Sequence, residues 1–333
     1  MKSTSCFFYT EHRQISRCTG EWRAGYADVK GWRKQIMKEL HGAIGVTVTP
    51  FMRDWQIDLD TVAAQAEQLA ASDITGIFPC ASTGEFPNLS TEQQRSVYAA
   101  TQKAVNGRKT LIAGACAPNL RQAAACVQMA QDLCYDACVA CPPYYYPLSQ
   151  EEIYLFYRAL AKESALPIIL YHVPFFTSSI NIETVERLME IPNIAGIKDS
   201  SANMKRIAHL CQLHTKRDDF LLYSGTDDCL LPALAAGVDG SMTALGASMP
   251  TLVSRVYNEF ARGDIEKAAC YQRRMMPLLK AADALPFPLG YKLVAQASLG
   301  LPMTQAYHQM MVESDVQAAG MQIEALVRQA LDW

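Results

Sequence analysis

Residues 43–80, AIGVTVTPFMRDWQIDLDTVAAQAEQLAASDITGIFPC, decide the fold. Ala43–Thr49 is a short apolar run rich in β-branched residues, and Pro50 closes it because proline cannot donate to a sheet ladder. Leu59–Ala71 carries Val62, Ala63, Ala66, Leu69 and Ala70 at helical spacing, which gives one apolar stripe. Gly76–Cys80 is again short and apolar. A strand, a helix and a second strand in that order form a unit whose two strands run parallel.

The rhythm continues through Leu111–Gly114, Ala137–Cys141, Ile168–Tyr171, Ile194–Lys198, Phe220–Tyr223 and Gly240–Ala244, with helical segments between them. Ser90-Thr91-Glu92-Gln93 is a capping box, in which serine and glutamine satisfy the free amides of a helix start. Eight such units predict an α/β protein of the closed (β/α)8 TIM-barrel type. An open, doubly wound sheet is the competing arrangement. It usually carries a glycine-rich dinucleotide loop after its first strand, and Thr49-Pro50-Phe51-Met52 is nothing like one. Beyond Met249 only helices are expected, over Leu252–Ala261, Ile265–Lys280, Leu289–Leu299 and Ser314–Leu331. The predicted organisation is therefore a barrel over 37–248 and C-terminal helices packed on it over 249–333. Residues 1–36, with seven basic against three acidic residues and no apolar centre, are expected to lie outside the fold.

The chain has 333 residues, half of them apolar and 19% charged, with a net charge of −3. A charge balance near zero offers no long-range attraction to nucleic acid or anionic lipid, and no apolar run is long enough for a membrane span. The odd count of 11 cysteines, scattered along the chain, does not suit a secreted disulfide scaffold. Cys138 and Cys141 have the spacing of a metal pair, but the six histidines supply no matching set. They are read as core thiols of a cytoplasmic protein, and no metal is expected.

Barrel enzymes place their chemistry at the C-terminal ends of the strands. There the sequence sets Ser82-Thr83-Gly84-Glu85, Tyr144-Tyr145-Tyr146, Tyr171-His172, Lys198-Asp199 and Gly225-Thr226-Asp227-Asp228. Lys198 closes the apolar run Ile194–Ile197, so its ammonium should be partly dehydrated, and dehydration frees the neutral amine that attacks carbonyls. The competing reading is a strand-end lysine reaching out to water. Ser82 and Thr83, together with turn amides, suit a carboxylate.

These motifs, together with Gly45-Val46-Thr47-Val48-Thr49-Pro50-Phe51, Pro143-Tyr144-Tyr145, Tyr171-His172-Val173-Pro174, Gly196-Ile197-Lys198 and Gly237-Val238-Asp239-Gly240, resemble the dihydrodipicolinate synthase/N-acetylneuraminate lyase family. The resemblance runs from about Met37 to about Leu301. It implies a class I lyase that binds pyruvate, or a 2-oxo acid containing it, as a Schiff base on Lys198, with no other cofactor. It also implies that Tyr171 relays protons, that Thr83 links Tyr171 to a Tyr145 reaching in from a neighbouring subunit, and that Ser82 and Thr83 hold the pyruvyl carboxylate. Glu85 is expected to order its loop rather than to take part in chemistry. The expected assembly is a homo-oligomer, a dimer or tetramer, acting on a small 2-oxo acid.

Two departures bear on substrate. Family synthases that condense aspartate semialdehyde carry an arginine where Phe176 stands, and a phenyl ring cannot pair with a carboxylate. Gly225, Asp227 and Asp228 resemble the sugar-contacting segment of sialic acid lyases and 2-keto-3-deoxy sugar acid aldolases. Carboxylates accept from polyol hydroxyls, although either aspartate could instead cap the following helix. Ala244 stands where a sialic acid lyase would have a serine. The expected reaction is aldol cleavage, or its reverse, of a 2-keto-3-deoxy sugar acid. The alternatives are a dehydratase using the same imine, dihydrodipicolinate synthase, N-acetylneuraminate lyase and a non-catalytic 2-oxo acid sensor.

Overall fold

The computed structural model describes residues 40–304 and 313–332. The 1–36 extension, and the predicted start of the fold near Met37, lie outside the described residues. Eight strands run Gly42–Val46 (β1), Gly76–Phe78 (β2), Thr110–Gly114 (β3), Ala137–Ala140 (β4), Ile168–His172 (β5), Ile194–Asp199 (β6), Leu221–Ser224 (β7) and Gly240–Thr243 (β8). They hydrogen-bond in sequence order into a closed parallel barrel, in which β1 pairs with β8 through Gly42↔Gly240 to Gly45↔Thr243. Closure leaves no edge strand. Every strand residue is buried, as expected where side chains fill the barrel inside and helices cover it outside.

The helices between strands are Leu59–Ala71 (α1), Thr91–Val105 (α2), Leu120–Asp132 (α3), Gln150–Glu163 (α4), Ile182–Met189 (α5), Met204–His214 (α6) and Leu230–Ala236 (α7). Most start at a residue that caps them. Asp58 Oδ1 accepts from Thr61 N at 3.0 Å, and the Ser90/Gln93 box is formed, with Ser90 N donating to Gln93 Oε1 at 2.8 Å. A second box, Ser149 with Glu152, opens α4. Each such cap is worth about 1 kcal/mol. Buried tyrosines then tie the helical layer to the strand ends: Tyr98 donates to the Gly114 carbonyl at 3.0 Å and Tyr157 to that of Ala140 at 2.7 Å.

Strand ends differ from expectation for local reasons. β2 stops at Phe78 because Cys80 takes a left-handed φ of 55° and turns the chain. β1 ends at Val46, and Phe51 instead bridges antiparallel to Ile57. Ala244 does not end β8. It opens a short helix, Ala244–Ser248 (α8), where Thr243 Oγ1 accepts from Gly246 N at 3.3 Å.

Four helices follow: Pro250–Ala261 (α9), Ile265–Asp283 (α10), Leu289–Leu299 (α11) and Glu313–Leu331 (α12). α9 packs along α10, and α11 packs against α8 and α12. None of the described helices is long and apolar enough to cross a membrane. Cys138 and Cys141 are buried free thiols beside Cys80, Cys116 and Cys126. Burial pushes the Cys126 thiol up to about 12, and the described residues gather no His/Cys/Asp/Glu set able to hold a metal ion.

Candidate active site

Lys198 occupies the end of β6 between Tyr171 of β5 and Tyr223 of β7 in the strand register. Only 3% of it is exposed, and its ammonium lies 4.3 Å from the Tyr171 ring centroid and 5.2 Å from that of Phe78. The amine therefore sits under aromatic rings and does not reach out to water. Burial lowers its pKa to about 8. At pH 7 about a tenth of the amine is then neutral, against less than about one part in a thousand for an ordinary lysine. Gly225 makes room for it. A Cβ there would lie 3.0 Å from Lys198 Cε and 1.9 Å from Ser200 Oγ.

The Tyr171 hydroxyl is 3.3 Å from Ser82 Oγ. Burial raises its pKa well above the usual phenol range while the Ser82 and Ser200 hydroxyls pull it back, so the phenol holds its proton at neutral pH and can donate it. Within one chain the hydroxyl that meets Tyr171 is that of Ser82. Thr83 is buried but makes no hydrogen bond to Tyr171, because the turn begun at Cys80 presents Ser82 to the phenol. Tyr145 is also absent from this group within one chain. It is 87% exposed with φ 82°, and its ring packs edge-on against Tyr146 at 5.0 Å.

The turn after β2 leaves donors unused. Ser82 and Thr83 N–H donate to no acceptor among the described residues, whereas Glu85 N, which closes the turn, donates to Ser82 O at 3.0 Å. Unpaired amides at an enclosed turn favour an anion or a carbonyl oxygen.

Asp227 is 5% exposed. It accepts from Leu245 N through Oδ2 at 3.2 Å, while its buried Oδ1 has no hydrogen-bond partner among the described residues. Burial raises its pKa to about 7, opposed by Thr243, the Leu245 amide and the Lys198 charge. Asp228 stands exposed beside it, raised by partial burial and by Asp283. Neither carboxylate caps α7, whose first turn has no side-chain cap, so the helix-cap reading of this pair is not realised.

Phe176, 55% exposed, packs on Phe287 with centroids 5.7 Å apart. Phe287 in turn meets Tyr291, whose hydroxyl donates to Asp283 Oδ1 at 2.7 Å. The C-terminal helices and the loop between α10 and α11 thus contribute Asp283, Tyr291 and Phe287 beside Phe176 and Asp228. Sequence reasoning missed these three because nothing in their local pattern differs from that of other helix-end residues.

Known proteins resemble the chain over most of its length. The model of the dihydrodipicolinate synthetase family matches residues 39–329. A 4-hydroxy-tetrahydrodipicolinate synthase of Dehalococcoides mccartyi is 36% identical over 281 residues, covering 81% of this chain and 93% of the relative. A crystal structure of an Escherichia coli prophage protein of the dihydrodipicolinic acid synthase family, in complex with pyruvate, superposes with a TM-score of 0.81 at 25% identity, covering 87% of this chain and 98% of that one. A 2-keto 3-deoxygluconate aldolase of Picrophilus torridus gives a TM-score of 0.76 at 25% identity, covering 82% and 98%.

Proposed function

The chain belongs to the dihydrodipicolinate synthetase family of lyases, and on that premise we propose that it cleaves a 2-keto-3-deoxy sugar acid to pyruvate and an aldehyde through an imine on Lys198. The observation that carries this reading is the buried Lys198 amine, lowered to about 8 and set 4.3 Å from the Tyr171 ring. The neutral amine attacks the C2 ketone. Tyr171 passes a proton to the carbinolamine oxygen, water leaves, and a protonated imine remains. Cleavage of C3–C4 sends its electron pair into that imine to give an enamine, while the C4 hydroxyl loses its proton and becomes the aldehyde. Protonation of the enamine at C3 and hydrolysis then release pyruvate and the free amine.

The Ser82 and Thr83 amides and hydroxyls receive the carboxylate of the 2-oxo acid. The unpaired Asp227 oxygen and exposed Asp228 receive hydroxyls of the sugar chain, since carboxylates are acceptors only. Tyr145 joins the proton relay when a second copy of the chain brings it in, so the working form is a homo-oligomer.

A second reading is condensation of pyruvate with aspartate semialdehyde, which the name of the Dehalococcoides relative supports. Phe176 weighs against it, because a ring packed on Phe287 offers a second carboxylate no cation. The test has two parts. Pyruvate with borohydride should add a reduced pyruvyl group to wild type and none to Lys198→Met. A panel of 2-oxo acids should release pyruvate fastest from a 2-keto-3-deoxy sugar acid. An equal adduct on Lys198→Met, or faster turnover with aspartate semialdehyde than with any sugar acid, overturns the reading.

A further inference from the structure

An ion pair is anchored on the last residue of the turn that offers its amides to an anion. Glu85 closes that turn in a left-handed conformation (φ 58°), and its carboxylate is 2.5 Å from the ammonium of Lys292 on α11. Both side chains are buried, Lys292 fully and Glu85 to within 3%, and the ammonium also lies 4.5 Å from the Phe51 ring centroid. Asn88 Nδ2 donates to the second carboxylate oxygen at 3.3 Å, and Thr49 Oγ1 donates to the Gly84 carbonyl at 2.7 Å. A buried ion pair brings little net stability compared with apolar residues of the same volume, so its retention calls for another account.

The position of Glu85 supplies one. Glu85 follows Ser82 by three residues and Thr83 by two in the same turn, where the proposed function places the carboxylate of the substrate, and its N–H donates to Ser82 O at 3.0 Å. An unbalanced anion at that depth would repel a second one, because like charges are poorly screened in a buried interior. We propose that Lys292 is a positioning residue that cancels the charge of Glu85, so that the Ser82–Thr83 turn accepts a 2-oxo carboxylate, and that the C-terminal helices thereby set the preference for acidic ketones. This rests on the reading of Lys198 as the imine-forming residue.

The experiment compares second-order rates of borohydride trapping at Lys198 for pyruvate and for hydroxyacetone, a ketone without a carboxylate. Calorimetric binding of pyruvate, which needs no imine, runs in parallel. Lys292→Met should lower the pyruvate-to-hydroxyacetone ratio by about ten-fold or more, as about 1.4 kcal/mol of added repulsion requires. Glu85→Gln should leave the ratio level or raise it, and the double variant should return to within about three-fold of wild type. The opposite signs exclude a merely structural role, in which both single variants slow both ketones together. A pyruvate-to-hydroxyacetone ratio about ten-fold lower in Glu85→Gln than in wild type overturns the proposal even if Lys292→Met fails to fold. If wild type forms no adduct, the reading of Lys198 fails, and pyruvate binding unaltered in Lys292→Met would then overturn this proposal separately.

Discussion

Adding one methyl group at Gly225 should cost more capture of substrate than stability. The glycine follows Ser224 at the end of β7, and its N–H donates to Asp199 O at 2.7 Å, so the backbone here is locked to β6. A Cβ would meet Ser200 Oγ at 1.9 Å and come within 3.0 Å of both Asp199 O and Lys198 Cε. The Ser200 hydroxyl can rotate, but Ser200 N is held by the His172 carbonyl at 2.9 Å, so the residue as a whole cannot withdraw. With Ser200 Oγ turned aside, the Cβ still crowds Lys198 Cε at 3.0 Å, and this side chain must shift by a fraction of an ångström. Overpacking of this kind costs about 1–3 kcal/mol, whereas a reacting group displaced by roughly 1 Å loses about 100-fold in rate, so a shift of part of that distance should cost about ten-fold. Gly225→Ala should melt a few degrees lower and trap pyruvate about ten-fold more slowly, read by mass spectrometry of the Lys198 peptide after borohydride reduction. Adding Ser200→Ala removes the 1.9 Å clash and should restore more of the melting temperature than of the rate. If Gly225→Ala traps pyruvate within about two-fold of wild type, the placement of the amine is not the controlling feature argued above.

Two further outcomes follow from the electrostatics. Because Lys198 titrates near 8 and only its neutral form attacks, the second-order rate of pyruvate capture should climb about ten-fold per pH unit below 8 and flatten above it; a rise continuing to about pH 10 would contradict a dehydrated amine. Asp227 is raised from 3.8 to about 7, so between those values the folded chain binds a proton that the unfolded chain has lost, and ionising it costs stability as pH rises through that window. Asp227→Asn should therefore raise the melting temperature at pH 8 and change it little at pH 4, and an equal shift at both would refute the assignment.

Local information carried the fold. β-branched runs alternating with apolar helical stripes reach eight units, the count that closes a barrel, and Leu289–Leu299 is observed with the boundaries its periodicity predicts. The same periodicity located Lys198 at a strand end, the face where barrel enzymes place their chemistry. Side-chain partners were another matter. Whether Ser82 or Thr83 meets Tyr171 depends on a turn whose left-handed start at Cys80 no pattern announces, and here it is Ser82. Whether Asp227 caps α7 or turns toward Leu245 depends on α8 lying across the end of β8. The sequence by itself determined the order of strands and helices, because each is set by residues a few positions apart. Only the tertiary structure decided that Lys292 neutralises Glu85 and that Phe287 covers Phe176, because burial and charge pairing act between surfaces that the chain brings together from more than a hundred residues away.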